Sequence, residues 1–107
     1  MPKQGAIVLV PFPFTNLTAA KVRPALVLSA EPLNEDVIVA FISSKPKQGK
    51  YVVGIIPSRE NGLKVASVII CSKIATLEKA VVLGELGTLE ERFLKQVRAN
   101  LAAIFAY

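Results

Sequence analysis

Apolar residues in this chain fall into short, β-branched runs separated by Gly, Pro, Asn and Asp. Runs of that length and type read as strands. They predict strands at Ala6–Val10, Ala25–Ala30, Asp36–Ser43, Tyr51–Ile56 and Val68–Ser72, with a further strand near Val81–Glu85. Pro11 and Pro13 stop the first. The stretch AEPLNED turns the second into the third. The third, DVIVAFIS, is nearly all apolar and lacks the alternation of a half-solvated strand, so both its faces are expected to be covered. After the fourth, PSRENGL predicts one helical turn begun at Pro57 and Ser58 and ended at Asn61-Gly62. KIATLEKA is ambiguous, extended and then turning.

The C-terminal stretch TLEERFLKQVRANLAAIF changes period. Leu94, Val97, Leu101 and Ile104 recur at helical spacing, with Phe93 and Phe105 alongside. Thr88 followed by Glu91 matches a capping box. The apolar stripe must bury against the sheet or against a second copy of the chain. Many short strands and one terminal helix predict a small, strongly bent antiparallel sheet or partly closed barrel. Apolar surface left over on so small a sheet would be covered by homodimerisation.

Composition narrows the function classes. The 107 residues suit one domain, 1–107, and 52% hydrophobic with 20% charged is a globular profile. Lys plus Arg is 13 against 8 Asp plus Glu, a formal charge of +5. Such a balance fits nucleic acid, an anionic surface or an acidic protein partner. The chain has no histidine, which removes histidine triads and histidine general bases. With a single cysteine as well, a transition-metal site lacks its ligands. Cys71, in SVIICS, reads as a small buried hydrophobe, and a lone cysteine fits a reducing compartment. No run of about 18 apolar residues is present for a membrane span, and the N-terminal apolar run is short for a signal peptide. A cytoplasmic protein is expected.

Arg23 stands directly before Pro24 and an apolar run. A guanidinium there needs a partner or a task. Its planar donors suit a phosphate, while a structural arginine bonded to carbonyls or to a glutamate fits the spacing as well. The preceding loop FTNLTAAK, with Thr15, Asn16, Thr18 and Lys21, is small and polar, as binding loops often are. The segment FISSKPKQGK puts Ser43 and Ser44 beside Lys45, Lys47 and Lys50. Hydroxyls among lysines fit a phosphodiester chain, and equally an ordinary solvated hairpin. Phe12 and Phe14 are candidates for stacking on unpaired bases or for core packing. Lys73 is a further possible phosphate contact or a plain surface lysine. Glu90 and Glu91 suit the start of the last helix. Glu31, Glu35 and Asp36 form a solvated loop cluster.

In this order, GAIVLVPFPFTNLTAAKVRPALVLS, VIVAFISS and SVIICSKIATLEK, together with the final helix, resemble the PemK/MazF family of toxin endoribonucleases. The likeness covers nearly the whole chain. It implies a small SH3-like (CcdB/PemK-type) antiparallel β-barrel, mainly β with a C-terminal helix, acting as a homodimer. It implies metal-independent, cofactor-free cleavage of single-stranded RNA, and a cognate antitoxin as partner. By position the family's catalytic arginine corresponds to Arg23 and its hydroxyl residue to Ser43. Phe12, Thr15, Asn16, Thr18, Lys21, Ser44, Lys45 and Lys73 then become substrate contacts. The chain departs from the family pattern at Ala6, Asn16 and Ser72, where acids or a histidine are common. Two other readings share the barrel: a non-catalytic nucleic-acid-binding module, and a gyrase-directed interaction toxin of the CcdB kind.

Overall fold

The computed structural model describes residues 2–11, 21–45 and 48–106. Among them run β1 (Ala6–Pro11), β2 (Val22–Val27), β3 (Asp36–Ser43), β4 (Val52–Ile55), β5 (Ser67–Glu78), a 3₁₀ turn (Lys79–Val81), β6 (Gly84–Thr88) and α1 (Glu91–Ile104). The strands form one sheet in the order β4-β5-β3-β2-β1-β6, with every neighbouring pair antiparallel. The architecture is the expected bent antiparallel sheet with a terminal helix. No helix among the described residues is long and apolar enough to cross a membrane.

Strand alternation sorts the apolar residues onto two faces. Ile7, Leu26, Ala40 and Ile42 join Val53, Ile55 and Ile69 on the face that receives the helix. Val8, Val10, Ala25, Val27, Val37, Val39 and Phe41 fill the opposite face. β3 feeds both clusters, which explains its unbroken apolar sequence. Leu94 and Val97 are the buried residues of α1, and each contributes about 1.5–3 kcal/mol by leaving water. Leu101, Ile104 and Phe93 pack at the margin of that cluster. Cys71 is fully buried there. Its Sγ accepts a hydrogen bond from Asn100 Nδ2 at 3.6 Å, and burial pushes the thiol pKa up despite that bond.

Three strand expectations need correction. β2 starts at Val22 and ends at Val27, so Arg23 and Pro24 lie inside the strand and not ahead of it. Pro24 lacks an N–H, but the ladder to β3 begins only at Ala25, and proline is tolerated where pairing is one-sided. β5 is twelve residues long and absorbs KIATLE, because Ile74 to Glu78 pair with β3. The last strand is Gly84–Thr88, with Val81 in the 3₁₀ turn, since β1 pairs with Gly84 to Thr88.

The capping box is also absent. Thr88 ends β6, and the N-cap is Glu90 with no side-chain cap bond. Pairing with Ala6 keeps Thr88 in the sheet and Glu91 turns to Arg98, so the start of the helix is tied down instead by Asn61. It is wholly buried, and its Nδ2 donates to Ile56 O at 2.9 Å and to Glu90 Oε1 at 3.1 Å. Its Oδ1 accepts the N–H groups of Ser58 and Leu63, both at 3.0 Å. The turn expected over residues 57–62 closes with Gly62 N–H on Ser58 O at 3.0 Å. Gly62 has φ +70, and a Cβ there would lie 2.1 Å from Leu86 O. A Cβ on Gly87 would meet Glu60 O at 2.2 Å. Glycines on both sides thus let the turn lie flat on β6, where Thr88 N–H donates to Glu60 O at 2.8 Å.

Candidate functional site

The register of β2 on β3 sets Ala25 opposite Phe41, Leu26 opposite Ala40 and Val27 opposite Val39. Continued at the same register, Pro24 falls opposite Ile42 and Arg23 opposite Ser43. These pairs lie past the end of the ladder, where a cleft replaces hydrogen bonds. By alternation Arg23 and Ser43 belong to one face of the sheet, and Pro24 and Ile42 to the other.

A cavity opens on each side of this split. One, of about 190 Å³, is lined by Arg23, Phe41, Ile42, Ser43, Lys45, Ile70 and Lys73. The other, of about 320 Å³, is mostly apolar and has Arg23, Pro24, Ile42, Ser44 and Leu63 in its wall. Arg23 lines both. It is half-buried, and among the described residues its side chain has neither an ion-pair nor a hydrogen-bond partner. The described ion pair lies elsewhere, between Arg98 and Glu91.

Lys73 reaches the cavity through an irregularity in β5. Ala40 faces Ile74 and Ile42 faces Ile69, so two steps along β3 are matched by five along β5. Three extra residues are bulged out here. Bulges of this kind re-aim side chains, and Lys73 is turned toward Arg23 and Ser43. The Ser43 hydroxyl is oriented as well. Its Oγ accepts the Lys45 N–H at 3.1 Å, the turn that serine commonly makes with a residue two further on. One acceptor site is thereby used and the O–H remains able to donate.

No carboxylate lines either cavity among the described residues. Glu31 and Asp36 line a different cavity, of about 390 Å³, beside Lys3 and Lys79 at the far end of β2 and β3. No group of three or more His, Cys, Asp or Glu converges among the described residues. The groups that do converge are cations and hydroxyls, a donor set for an anion.

A family model described as PemK-like, MazF-like toxin of type II toxin-antitoxin systems matches residues 3–105. The chain belongs to that family. The solved structures it resembles agree in fold. An endoribonuclease in complex with its cognate antitoxin, from a Mycobacterial species, superposes with a TM-score of 0.80 at 18% identity, over 96% of this chain and 93% of that one. MazF from Deinococcus radiodurans gives 0.78 at 22% identity, over 99% and 97%. The Mycobacterium tuberculosis toxin MazF-mt6 gives 0.76 at 22%, over 94% and 95%. No curated protein matches the sequence, so the likeness is one of family pattern and fold.

Set in this PemK/MazF fold, the sequence candidates divide. Arg23, Ser43, Lys45 and Lys73 come together around the smaller cavity. Ser44 joins Arg23 on the larger one. Lys73 was expected just past a strand and instead sits within β5. Lys21 is exposed ahead of β2 and lines neither cavity. Phe12, Thr15, Asn16 and Thr18 lie outside the described residues, as does Lys47. Of the family's acidic positions, Ala6 is buried and Ser72 exposed, and neither lines either of these two cavities. The sequence reading passed over Lys64 and the Leu63–Val65 stretch. The one signal available was their place just after the Asn61-Gly62 turn.

Proposed function

We propose that this PemK/MazF-family toxin is an endoribonuclease that cleaves single-stranded RNA, with the substrate's own ribose 2′-hydroxyl as nucleophile. The 2′-oxygen attacks the adjacent phosphorus, the bond to the 5′-oxygen breaks, and a 2′,3′-cyclic phosphate and a 5′-hydroxyl end result. The observation that carries this reading is Arg23, half-buried, without an ion-pair partner among the described residues, in a cavity it shares with Ser43 and Lys73. An unpaired guanidinium lining a cleft is a pre-set receptor for phosphoryl oxygens. Arg23 holds those oxygens as charge grows on them. Ser43 donates its O–H to the same group, and Lys73 and Lys45 add positive potential. A substrate-supplied nucleophile agrees with a chain that has no histidine. Cations and hydroxyls at the site, with no carboxylate among the described lining residues, favour a metal-independent reaction. A cognate antitoxin and a homodimeric toxin complete the reading.

The test is cleavage of a long unstructured RNA in the presence of a chelator, with mapping of new 5′-hydroxyl ends. Wild type should cut. Arg23→Ala should neither cut nor arrest growth, while its circular dichroism and melting temperature stay near wild type. Equal cleavage by the variant would remove Arg23 from the reaction. Lack of carboxylates also suits a module that binds nucleic acid without cutting it. Salt-sensitive binding with no new ends would establish that module instead.

A further inference from the structure

The larger cavity carries far more apolar wall than a phosphate needs. Leu9, Pro24, Ile42, Leu63, Val65 and Leu86 line it, and Arg23 stands at the passage to its basic neighbour. Val65, 55% exposed, leaves an aliphatic side chain open to solvent at the mouth. Two polar side chains are available there, the exposed Ser44 hydroxyl and the exposed Lys64 ammonium. The Ser67 hydroxyl is already occupied, donating to Val65 O at 3.0 Å.

A nucleotide has two parts one ribose apart, an anionic phosphate and a flat base with apolar faces and polar edges. The split between β2 and β3 offers a basic cavity and an apolar one that share Arg23 and Ile42, with donors on the apolar rim. We infer that the larger cavity seats one unpaired nucleobase beside the scissile phosphate, and that the Leu63–Val65 segment selects that base. This rests on the proposed RNA cleavage. It assigns specificity to a segment outside the two loops, Phe12–Lys21 and Ser44–Lys50, that the sequence first suggests. Apolar walls clasp the faces of an extruded base, and hydrogen bonds at the edge name it. An aliphatic anchor from a protein partner would fill the walls but leave Ser44 and Lys64 facing nothing.

Single-stranded RNA oligonucleotides built on a site that the wild type cuts provide the probe. Each nucleoside flanking the scissile bond is replaced in turn by an abasic one. One such replacement should lower kcat/KM by about tenfold or more, the usual effect of losing one stacked base. Val65→Trp plugs the mouth at an exposed position. It should cut intact RNA more slowly and show no difference between the intact and that abasic substrate. Lys64→Ala, also exposed, should relax the preference for base identity at the same position. A wild type that cuts no RNA brings down the nuclease reading itself. A wild type that cuts, with no abasic position mattering, overturns only the base seat. So does a full abasic penalty in Val65→Trp, or an unchanged base preference in Lys64→Ala. A Val65→Trp protein that keeps the penalty yet escapes inhibition by the co-expressed cognate antitoxin would hand the cavity to a protein partner.

Discussion

Asn61 and Arg23 border the same region and are treated in opposite ways. Asn61 is wholly enclosed, and both ends of its amide are occupied by four hydrogen bonds to Ile56, Ser58, Leu63 and Glu90. Arg23 is half-open, and among the described residues its guanidinium has no partner. A buried polar group with every partner in place stabilises and fixes a backbone. A cation left without one holds its donors in reserve for something that arrives. The two are linked, because Gly62 and Leu63, locked by the Asn61 network, form part of the wall beside Arg23.

The contrast is open to direct attack. Asn61→Ala strands two buried N–H groups and the Glu90 carboxylate, and should lower stability by roughly 3–5 kcal/mol in urea unfolding. A near-normal midpoint would show that the network is not what holds the turn. Ser43→Ala should do the reverse. It should slow cleavage on the order of a hundredfold, about 3 kcal/mol of transition-state stabilisation, with an unchanged melting curve. Loss of stability in that variant would break the division between scaffold and site. Gly87→Ala forces a methyl against Glu60 O and should cost about 1–3 kcal/mol, read as a lower melting temperature. A smaller effect tests Glu90 itself. Burial works to raise its pKa, but its own backbone bond, Ser58, Asn61 and Arg92 together hold it below the usual carboxylate value. The folded state therefore binds that proton less tightly than the unfolded chain. Its contribution is complete at neutral pH and fades as pH falls through the lowered value. Glu90→Gln should flatten that acid limb. Smallest of all, Arg98→Ala removes an exposed pair with Glu91 at 3.1 Å and a bond to Gln4 Oε1 at 3.2 Å, for under about 1 kcal/mol.

The scaffold was more legible in the sequence than the site. β3 was read to the residue because its apolar run is long and bounded by polar turns, and α1 because its stripe repeats over three turns. β2 starts earlier than its apolar run suggests because Pro24 pairs with β1 alone and a one-sided ladder accommodates it. The capping box failed because Thr88 is held in the sheet opposite Ala6, two residues ahead of the N-cap Glu90, and no local pattern encodes so distant a strand partner. The same holds for the chemistry. Arg23 and Ser43 stood out as residue types in suggestive places. Their meeting depends on register continued past the end of a ladder, and Lys73 on three surplus residues in β5. Register and bulges come from pairing between strands, which one strand's sequence does not specify.

One topological fact bears on how the chain is made. β1 lies between β2 and β6, so the outer side of the first strand stays open until Gly84 to Thr88 have been synthesised. Contacts closed over such separations form late, because a long loop must be ordered before any pairing rewards it. A nascent chain can close the β1–β2–β3 meander early, with the Arg23 cleft roughed out, yet its edge is sealed only once β6 has been made. Completion of the sheet is thereby deferred until β6 emerges, and a product terminated before β6 would remain an unsealed fragment.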